Sequence, residues 1–405
     1  MQMMFQRAFA GAQVRRAGSL SRRGAFALEP VEALPRLAER ISRLAERALE
    51  PNPFFLPEFL EPAIQALGRR GLKLAVCSDR DDLRFFAPVL ATRGRLTGRP
   101  KLQVWTHPYA PLGAPLIDQD MAPQAAESLL DHMRGSGRRV LSLPDMPLKG
   151  PAARALKAAA HRLGFWTVAA EQLRPVLHAA DDEGMAAFER VVPAKRRKEL
   201  DRQLRRLCDA GPVSMMTART ATEIDAAFGM FAVLEGGGWK GRRGTSLNRN
   251  RTIHEFARSA ILQLAQQGIA TIDLMRVGDR PVAALIRLEQ SGLAIPWKIA
   301  FDEEFAAFSP GKQLMCDNTR RWLGDPAVVR VDPVCEEGSP LVSGLWRDAE
   351  PYGTLILSTA RWGLAARVRA GILDMTSAGR KQAKAMLRPK KATPKRASKG
   401  QKPAR

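Results

Sequence analysis

The run from Leu293 to Leu323 constrains this chain more than any other, because it reads as a strand, a turn and a capped helix in immediate succession. Leu293, Ile295, Trp297, Ile299 and Phe301 alternate with Ala294, Pro296, Lys298, Ala300 and Asp302. A period of two puts the bulky apolar set on one sheet face and leaves Lys298 and Asp302 together on the other, where they can pair. Pro296 has no N–H to give to a ladder, so the strand is expected to be bulged or unpaired on one side near its middle. A gap in a sheet is a place for a ligand. Ser309-Pro310-Gly311 then reads as a helix start, with Ser309 as the cap, Pro310 at the first helical position and Gly311 leaving the backbone open to an anion. Such a start turns unpaired amides and the positive end of the helix dipole toward the end of the strand, a setting for phosphate, although many Ser-Pro-Gly helix starts bind nothing.

The 405 residues fit two domains of about 150 to 180 residues each. Hydrophobic content of 45% with 26% charged residues is that of a globular protein, and no run approaches the roughly 18 apolar residues that span a membrane. The formal net charge of +23 is concentrated at the C-terminus. Arg380, Lys381, Lys384, Arg388, Lys390, Lys391, Lys395, Arg396, Lys399, Lys402 and Arg405 occur there with no acid and almost no large apolar residue after Leu387. A tail over 380–405 is therefore expected to be disordered, either solubilising or in non-specific contact with polyanions, whether nucleic acid or an anionic membrane surface. Residues 1–28 carry Arg7, Arg15, Arg16, Arg22 and Arg23 and no acid, and read as a loose basic arm, with a cleaved targeting segment as the lesser reading. Cys77, Cys208, Cys316 and Cys335 show no metal or redox spacing. A reduced, cytoplasmic protein without a metal follows, with Cys77 and Cys208 at or near the core.

Along the chain, helical spacing is expected over 31–49, 59–67, 125–133 and 152–163, and strands over 72–78, 83–90, 102–105 and 139–143. His107, in a loop of turn-formers, reads as structural, and this half is assigned no chemistry. A boundary is expected near Asp181-Asp182-Glu183-Gly184. A very basic helix follows from Lys195 to Arg206, with Leu200, Leu204 and Leu207 as its apolar stripe. It reads as a solvated face or as a grip on a polyanion. The second half then carries a strand at 213–218, a helix ending at Gly236-Gly237-Gly238, and a long amphipathic helix from Ile253 to Ala265. Strands at 269–277 and 282–288 are joined by a hairpin, a short strand is expected at 328–331, and Leu355–Leu357 with a helix over 359–373 closes the domain.

Three pieces of sequence bear a resemblance. Lys298 to Phe305 followed by Phe308-Ser309-Pro310-Gly311, Leu234-Glu235 followed by Gly238-Trp239-Lys240-Gly241-Arg242, and Asn52-Pro53-Phe54-Phe55 occur in that family's order and spacing. Together they resemble the CelD-like branch of the GNAT N-acyltransferases, similar in two-lobed architecture to Fem-type aminoacyltransferases. The resemblance implies an α/β (α+β) fold of tandem GNAT-like domains, each a mixed, mostly antiparallel sheet flanked by helices. A degenerate copy is expected over 29–180 and the active one over 185–375. It implies transfer of an acyl group from acyl-CoA, acetyl-CoA included, to a small-molecule or glycan amine, with a link to exopolysaccharide or cellulose production.

Thioester aminolysis needs the carrier's phosphates held, the carbonyl polarised and a proton taken from the amine. Backbone amides around Ser309, Pro310, Gly311 and Lys312, with the Lys312 charge, are the expected coenzyme A contacts. Donors freed at Pro296 are expected to meet the carbonyl. Asp302 is the candidate base, with Glu235 and Asp332 as alternatives. Trp239, Lys240 and Arg242, with Lys298, are the candidate acceptor contacts, and His254 reads as a capping or surface residue, with a base as the lesser reading. The usual GNAT pyrophosphate loop, Gln/Arg-x-x-Gly-x-Gly/Ala, is absent. Two rivals therefore stand: transfer from aminoacyl-tRNA, and a non-catalytic binding protein of a polysaccharide-synthesis assembly.

Overall fold

In the computed structural model, which describes residues 24–93, 100–179, 184–335, 338–339 and 341–359, the apolar runs of the two halves pair into two sheets. The first takes β1 (Ala25–Pro30), β2 (Leu72–Asp79), β3 (Asp82–Arg93), β4 (Pro100–Val104), β5 (Leu116–Ile117), β6 (Val140–Pro147) and β7 (Trp166–Pro175). Helices α1 (Leu34–Glu46), α2 (Pro57–Leu67), α3 (Ala122–Gly135) and α4 (Pro151–Arg162) flank it. In α1 the spacing of Leu34, Leu37, Ile41 and Leu44 makes one apolar face, and all four are buried.

The second half runs β8 (Leu177–His178), α5 (Gly184–Val191), α6 (Ala194–Cys208), β9 (Val213–Ala218), α7 (Ala221–Gly237) and the single turn α8 (Trp239–Arg242). It continues with α9 (Arg251–Gln266), β10 (Ala270–Val277), β11 (Arg280–Gln290), β12 (Leu293–Phe301), α10 (Pro310–Leu323), β13 (Arg330–Val331) and β14 (Ala349–Ser358). Two local devices fix the helices over this sheet. Thr220 and Glu223 form a reciprocal capping box at the start of α7. The Asn250 side chain accepts from the Ile253 amide at 2.9 Å to start α9, whose Ile253, Phe256, Ala257, Ala260, Ile261 and Leu264 are buried. A mixed α/β fold with helix-flanked mixed sheets is thus as expected.

Strand order departs from chain order. The second sheet is β8-β13-β12-β11-β10-β9, and β14 returns to the first sheet between β6 and β7. The sequence reading left Leu355–Leu357 in the second half because it followed chain order. The pairing of β14 runs antiparallel to β7 along its whole length, from Ala349 opposite Pro175 to Ser358 opposite Trp166. Each half thus donates a strand to the other, β8 one way and β14 the other, and the described residues make one compact unit. The ten-residue strand β7 and helix α5 were not foreseen. Neither has the clean alternation or apolar stripe that marks an element in sequence.

Four smaller expectations are corrected. Residues 25–28, read as part of the basic arm, belong to β1 and pair with β2 from Ala25 opposite Ser78. Cys208 is exposed at the end of α6, where the apolar stripe has turned away, whereas Cys77 is buried. The expected strand at 328–331 shrinks to Arg330 and Val331. The Trp239 loop, expected between two helices, is itself a helical turn. The remainder of the arm, the helix over 359–373 beyond its first residue, and the tail lie outside the described residues.

Candidate active site

The site starts from the irregularity that Pro296 forces. In the β11–β12 ladder Ile286 faces Lys298 and Arg287 faces Pro296, so Trp297 is an extra residue bulged out of the pairing. On its other side β12 pairs in parallel with β13 only at Leu293 and Ala294, and the Asp332 amide donates to the Ala294 carbonyl at 2.9 Å as the last rung. From Ile295 onward that edge of β12 has no strand beside it among the described residues.

The bulge also corrects the expected phase. Leu293, Ile295 and Trp297 pack into the core under α7 and α9, but Ile299 and Phe301 cross to the core under α10. Asp302 does not pair with Lys298. Its Oδ2 takes Arg280 at 2.5 Å and its Oδ1 caps the following 3-10 turn (Glu303–Phe308) through the Glu304 amide at 3.0 Å.

Lys298 lands on the same side as Trp297, where its ammonium stands 5.1 Å from the Tyr109 ring centroid and 5.7 Å from that of Trp297. Among the described residues no hydrogen bond or ion pair reaches Nζ. Burial first, and the Lys240 charge second, lower its pKa to about 8 against the opposing pull of Glu235. The Trp297 indole donates to the Tyr109 carbonyl at 2.7 Å and stands edge-on to Phe59 at 5.8 Å, which fixes the bulge against the first half.

His107 lies in the same aromatic group, 4.8 Å from Trp105 and 6.1 Å from Tyr109. Its Nδ1 accepts from the Tyr109 amide at 3.3 Å, which places the proton of the neutral ring on Nε2. Burial, then Lys298 and Arg69, push its pKa down to about 4. His107, expected to be structural, and Tyr109, for which the sequence carries no expectation, both face Lys298. The available signal was the His107-Pro108-Tyr109 run in a loop of turn-formers, and it did not say what the loop would meet.

The candidate carboxylates are all occupied. Glu235, 3% exposed near the end of α7, takes Lys240 Nζ on Oε1 at 2.8 Å and the Leu247 amide on Oε2 at 2.6 Å. Lys240 Nζ donates again to the Ile299 carbonyl at 2.8 Å, so this buried pair pins α8 against β12 one residue beyond Lys298. Asp332, fully buried, meets Arg174 Nη1 at 3.4 Å, Arg330 at 3.2 Å and the Val334 amide at 2.8 Å. Arg174 comes from β7, stacks on Tyr352 at 4.0 Å and donates to the Pro111 carbonyl at 3.2 Å. Asp332 therefore ties the two sheets together.

Glu235, Lys240 and Lys298 come together; the other candidates lie around them. Glu303 accepts from the Trp239 amide at 2.6 Å and from Arg242 at 2.7 Å, which leaves the Trp239 ring 44% exposed beneath Arg243. Beside α8 a cavity of about 410 Å³ opens between Gly236, Gly241, Ser246, Asn248 and Arg249.

The helix start lies past the end of β12. Ser309 is the cap residue, but its backbone is left-handed (φ 52°) and its side chain makes no cap hydrogen bond, contrary to expectation. A left-handed cap turns its hydroxyl away from the second- and third-residue amides, and the Ser309 carbonyl instead accepts from Lys312 at 2.9 Å and Gln313 at 3.0 Å. Pro310 and Gly311 are buried. A Cβ on Gly311 would stand 3.4 Å from Phe301 and 3.5 Å from Ile299, so its smallness also serves helix-on-strand packing. Helix α6 lies alongside, with Gln313 Nε2 donating to the Leu200 carbonyl at 2.8 Å and Arg206 over Phe308 at 5.7 Å. Burial and then Arg196 lower the pKa of Lys312, with Glu199 opposing.

Among the described residues, a strand edge without a neighbouring strand beyond Ala294, a helix start carrying Lys312 past its end and an amine without a hydrogen-bond partner beside the bulge suit an activated carbonyl carried on a phosphate-bearing group. Residues 194–326, the span from α6 through α10, match the family model described as an acetyltransferase (GNAT) domain. No curated protein matches the chain. Among solved structures, the chain is similar in fold to FemX, at 11% identity and a TM-score of 0.52 over 79% of this chain and 95% of that one. It is similar also to the C-terminal domain of a "Putative Lysylphosphatidylglycerol Synthetase" from Agrobacterium fabrum, at 12% identity and 0.54 over 85% and 96%.

Proposed function

We propose that this protein is an N-acyltransferase that moves an acyl group from acyl-coenzyme A to a primary amine at the β12 bulge. The observation that carries the reading is the free edge of β12 beside its bulge. Pairing with β13 stops at Ala294, the bulge falls at Trp297, and α10 begins at Pro310 past the strand's end. A pantetheine arm laid against the free edge of β12 puts its thioester carbonyl at the bulge and its pyrophosphate at Ser309, Pro310, Gly311 and Lys312. A backbone amide at the bulge already has its geometry fixed, so it stabilises the oxyanion without reorganising. The amine enters from the face of Lys298, Tyr109 and Trp239, beside the cavity under α8. In this reading the first half supplies one wall of the acceptor site, and the two sheets act as tandem lobes.

One observation favours a second donor. Lys195, Lys198, Arg202 and Arg205 recur at the spacing of one helix face along α6, are exposed, and have no ion pair among the described residues. That stripe lies on the solvent face of α6, opposite the buried Leu200 and Leu207, and suits a longer phosphate chain, as in the aminoacyl-tRNA of Fem-type transfer. The link to exopolysaccharide or cellulose production rests on the CelD-like resemblance alone.

Calorimetric titration of the full chain with acetyl-CoA, with a long-chain acyl-CoA and with aminoacyl-tRNA separates these. Saturable one-to-one binding of an acyl-CoA that persists in 0.5 M salt supports the proposal. Binding of tRNA alone moves the donor to the second reading. Binding of none leaves a non-catalytic protein and overturns the transferase.

A further inference from the structure

The base is the part of the reaction that the carboxylates do not supply. Asp302 is held by Arg280 and the Glu304 amide, Glu235 by Lys240 and the Leu247 amide, and Asp332 by Arg174, Arg330 and the Val334 amide. Each of these carboxylates is engaged on both oxygens, so an incoming ammonium would have to displace a partner to reach it. Beside the bulge, in contrast, between Tyr109 and Trp297, Lys298 Nζ stands with no hydrogen-bond or ion-pair partner among the described residues.

We infer that Lys298 is the catalytic base of the transfer, working as a neutral amine held between Tyr109 and Trp297. The inference rests on the acyltransferase reading above and deepens it. Every group that faces Lys298 bears on its charge. From α8, Lys240 is held in place by Glu235 and the Ile299 carbonyl, and its charge opposes a second positive charge on Lys298. From the loop after β4, His107 is neutral and Tyr109 offers its ring face. From α7, Glu235 pulls the other way, but Lys240 already neutralises it. Aromatic walls and burial add to the repulsion, and the Lys298 pKa falls to about 8.

The step balances. The acceptor arrives as an ammonium and gives one proton to neutral Lys298 Nζ. The freed amine attacks the thioester carbon, forming C–N as the carbonyl becomes an oxyanion. Collapse breaks C–S, and the thiolate takes the second nitrogen proton. Lys298 then returns its proton to solvent. The products are the amide, coenzyme A thiol and one proton.

The test is competitive acylation of the full chain with isotopically labelled acetic anhydride across pH 6–11, with the Lys298 peptide quantified by mass spectrometry. The expected result is a reactivity midpoint near 8, which Lys240→Met moves upward by removing the repelling charge. A midpoint at 10 or above, or failure to label in the folded chain when the denatured chain labels, overturns the inference. Lys298→Arg keeps the charge and loses the base. For a primary amine that supports thiol release from acetyl-CoA, it is expected to lower kcat/KM by about 10²–10⁴-fold with donor affinity unchanged. Lys298→Cys followed by aminoethylation restores turnover, with the rising limb of the pH profile moved to lower pH. Full activity in Lys298→Arg also overturns the inference. Loss of acyl-CoA binding by the wild-type chain instead overturns the acyltransferase reading, while the labelling midpoint still reports on Lys298.

Discussion

Replacing Arg174 by Met tests what joins the two sheets. Arg174 is 2% exposed on β7, and its guanidinium serves Asp332, the Pro111 carbonyl and the Tyr352 ring. Removing one partner of a buried ion pair costs about 3–5 kcal/mol, because the other charge stays in the interior. Here Asp332 keeps Arg330 at 3.2 Å and the Val334 amide at 2.8 Å, and the Asp332–Arg174 contact is long at 3.4 Å. Both facts pull the expectation to the lower end, about 3 kcal/mol. Methionine retains the stem against Tyr352, so most of that loss is electrostatic. Urea unfolding followed by tryptophan fluorescence reads it as a lower midpoint at unchanged slope. Adding Asp332→Asn removes the stranded charge while its amide oxygen still accepts from Val334, and is expected to recover about half of the loss. A change below about 1 kcal/mol in Arg174→Met, or a further loss in the double variant, refutes the argument.

Three further outcomes are expected. Glu50, whose Oε2 accepts from the Ala152 amide at 3.0 Å at the start of α4, has its pKa raised by burial from 4.5 to about 7. The folded form binds the proton more tightly, so this contribution is full below pH 4.5 and is lost as pH rises through 7. Glu50→Gln should abolish a fall of at most about 3 kcal/mol seen between pH 4.5 and 8 by thermal or urea unfolding. Gly241→Ala places a Cβ 1.8 Å from the Gly236 carbonyl, so α8 must move. Lys240 should then leave Glu235, with amine-dependent thiol release falling more than tenfold while urea stability changes by only about 1–2 kcal/mol. Trp297→Ala empties a site only 5% exposed and removes the donor to the Tyr109 carbonyl, and should lower urea stability by about 3–5 kcal/mol.

The sequence was legible where local chemistry decides. Pro296 announced the bulge, Ser309-Pro310-Gly311 the helix start, and the spacing from Ile253 to Leu264 the helix α9. It was silent where distant segments decide. Nothing near Leu355 says that its partners are Leu143 and Ala169, and β14 could not be assigned to the first sheet from its own alternation. The side-chain phase of β12 failed for a related reason. A one-residue bulge turns every later side chain to the other face, so Lys298 joins Trp297 on the side of Tyr109, while the strand ends at Phe301 and Asp302 turns to cap the 3-10 turn. Occupancy of the carboxylates was invisible too, since Asp332 meets Arg174 from β7, and Glu235 meets Lys240 in α8 and the Leu247 amide beyond it.

The most direct measurement is a crystal structure of the full chain with a thioether analogue of acetyl-CoA, which keeps the carbonyl and cannot transfer it. The account predicts the pantetheine arm against the free edge of β12 beyond Ala294. The analogue's carbonyl oxygen should lie within hydrogen-bond distance of a backbone amide at the Trp297 bulge, with the pyrophosphate at Pro310–Lys312. An analogue seated elsewhere, or a carbonyl turned away from the bulge in an otherwise ordered complex, contradicts it.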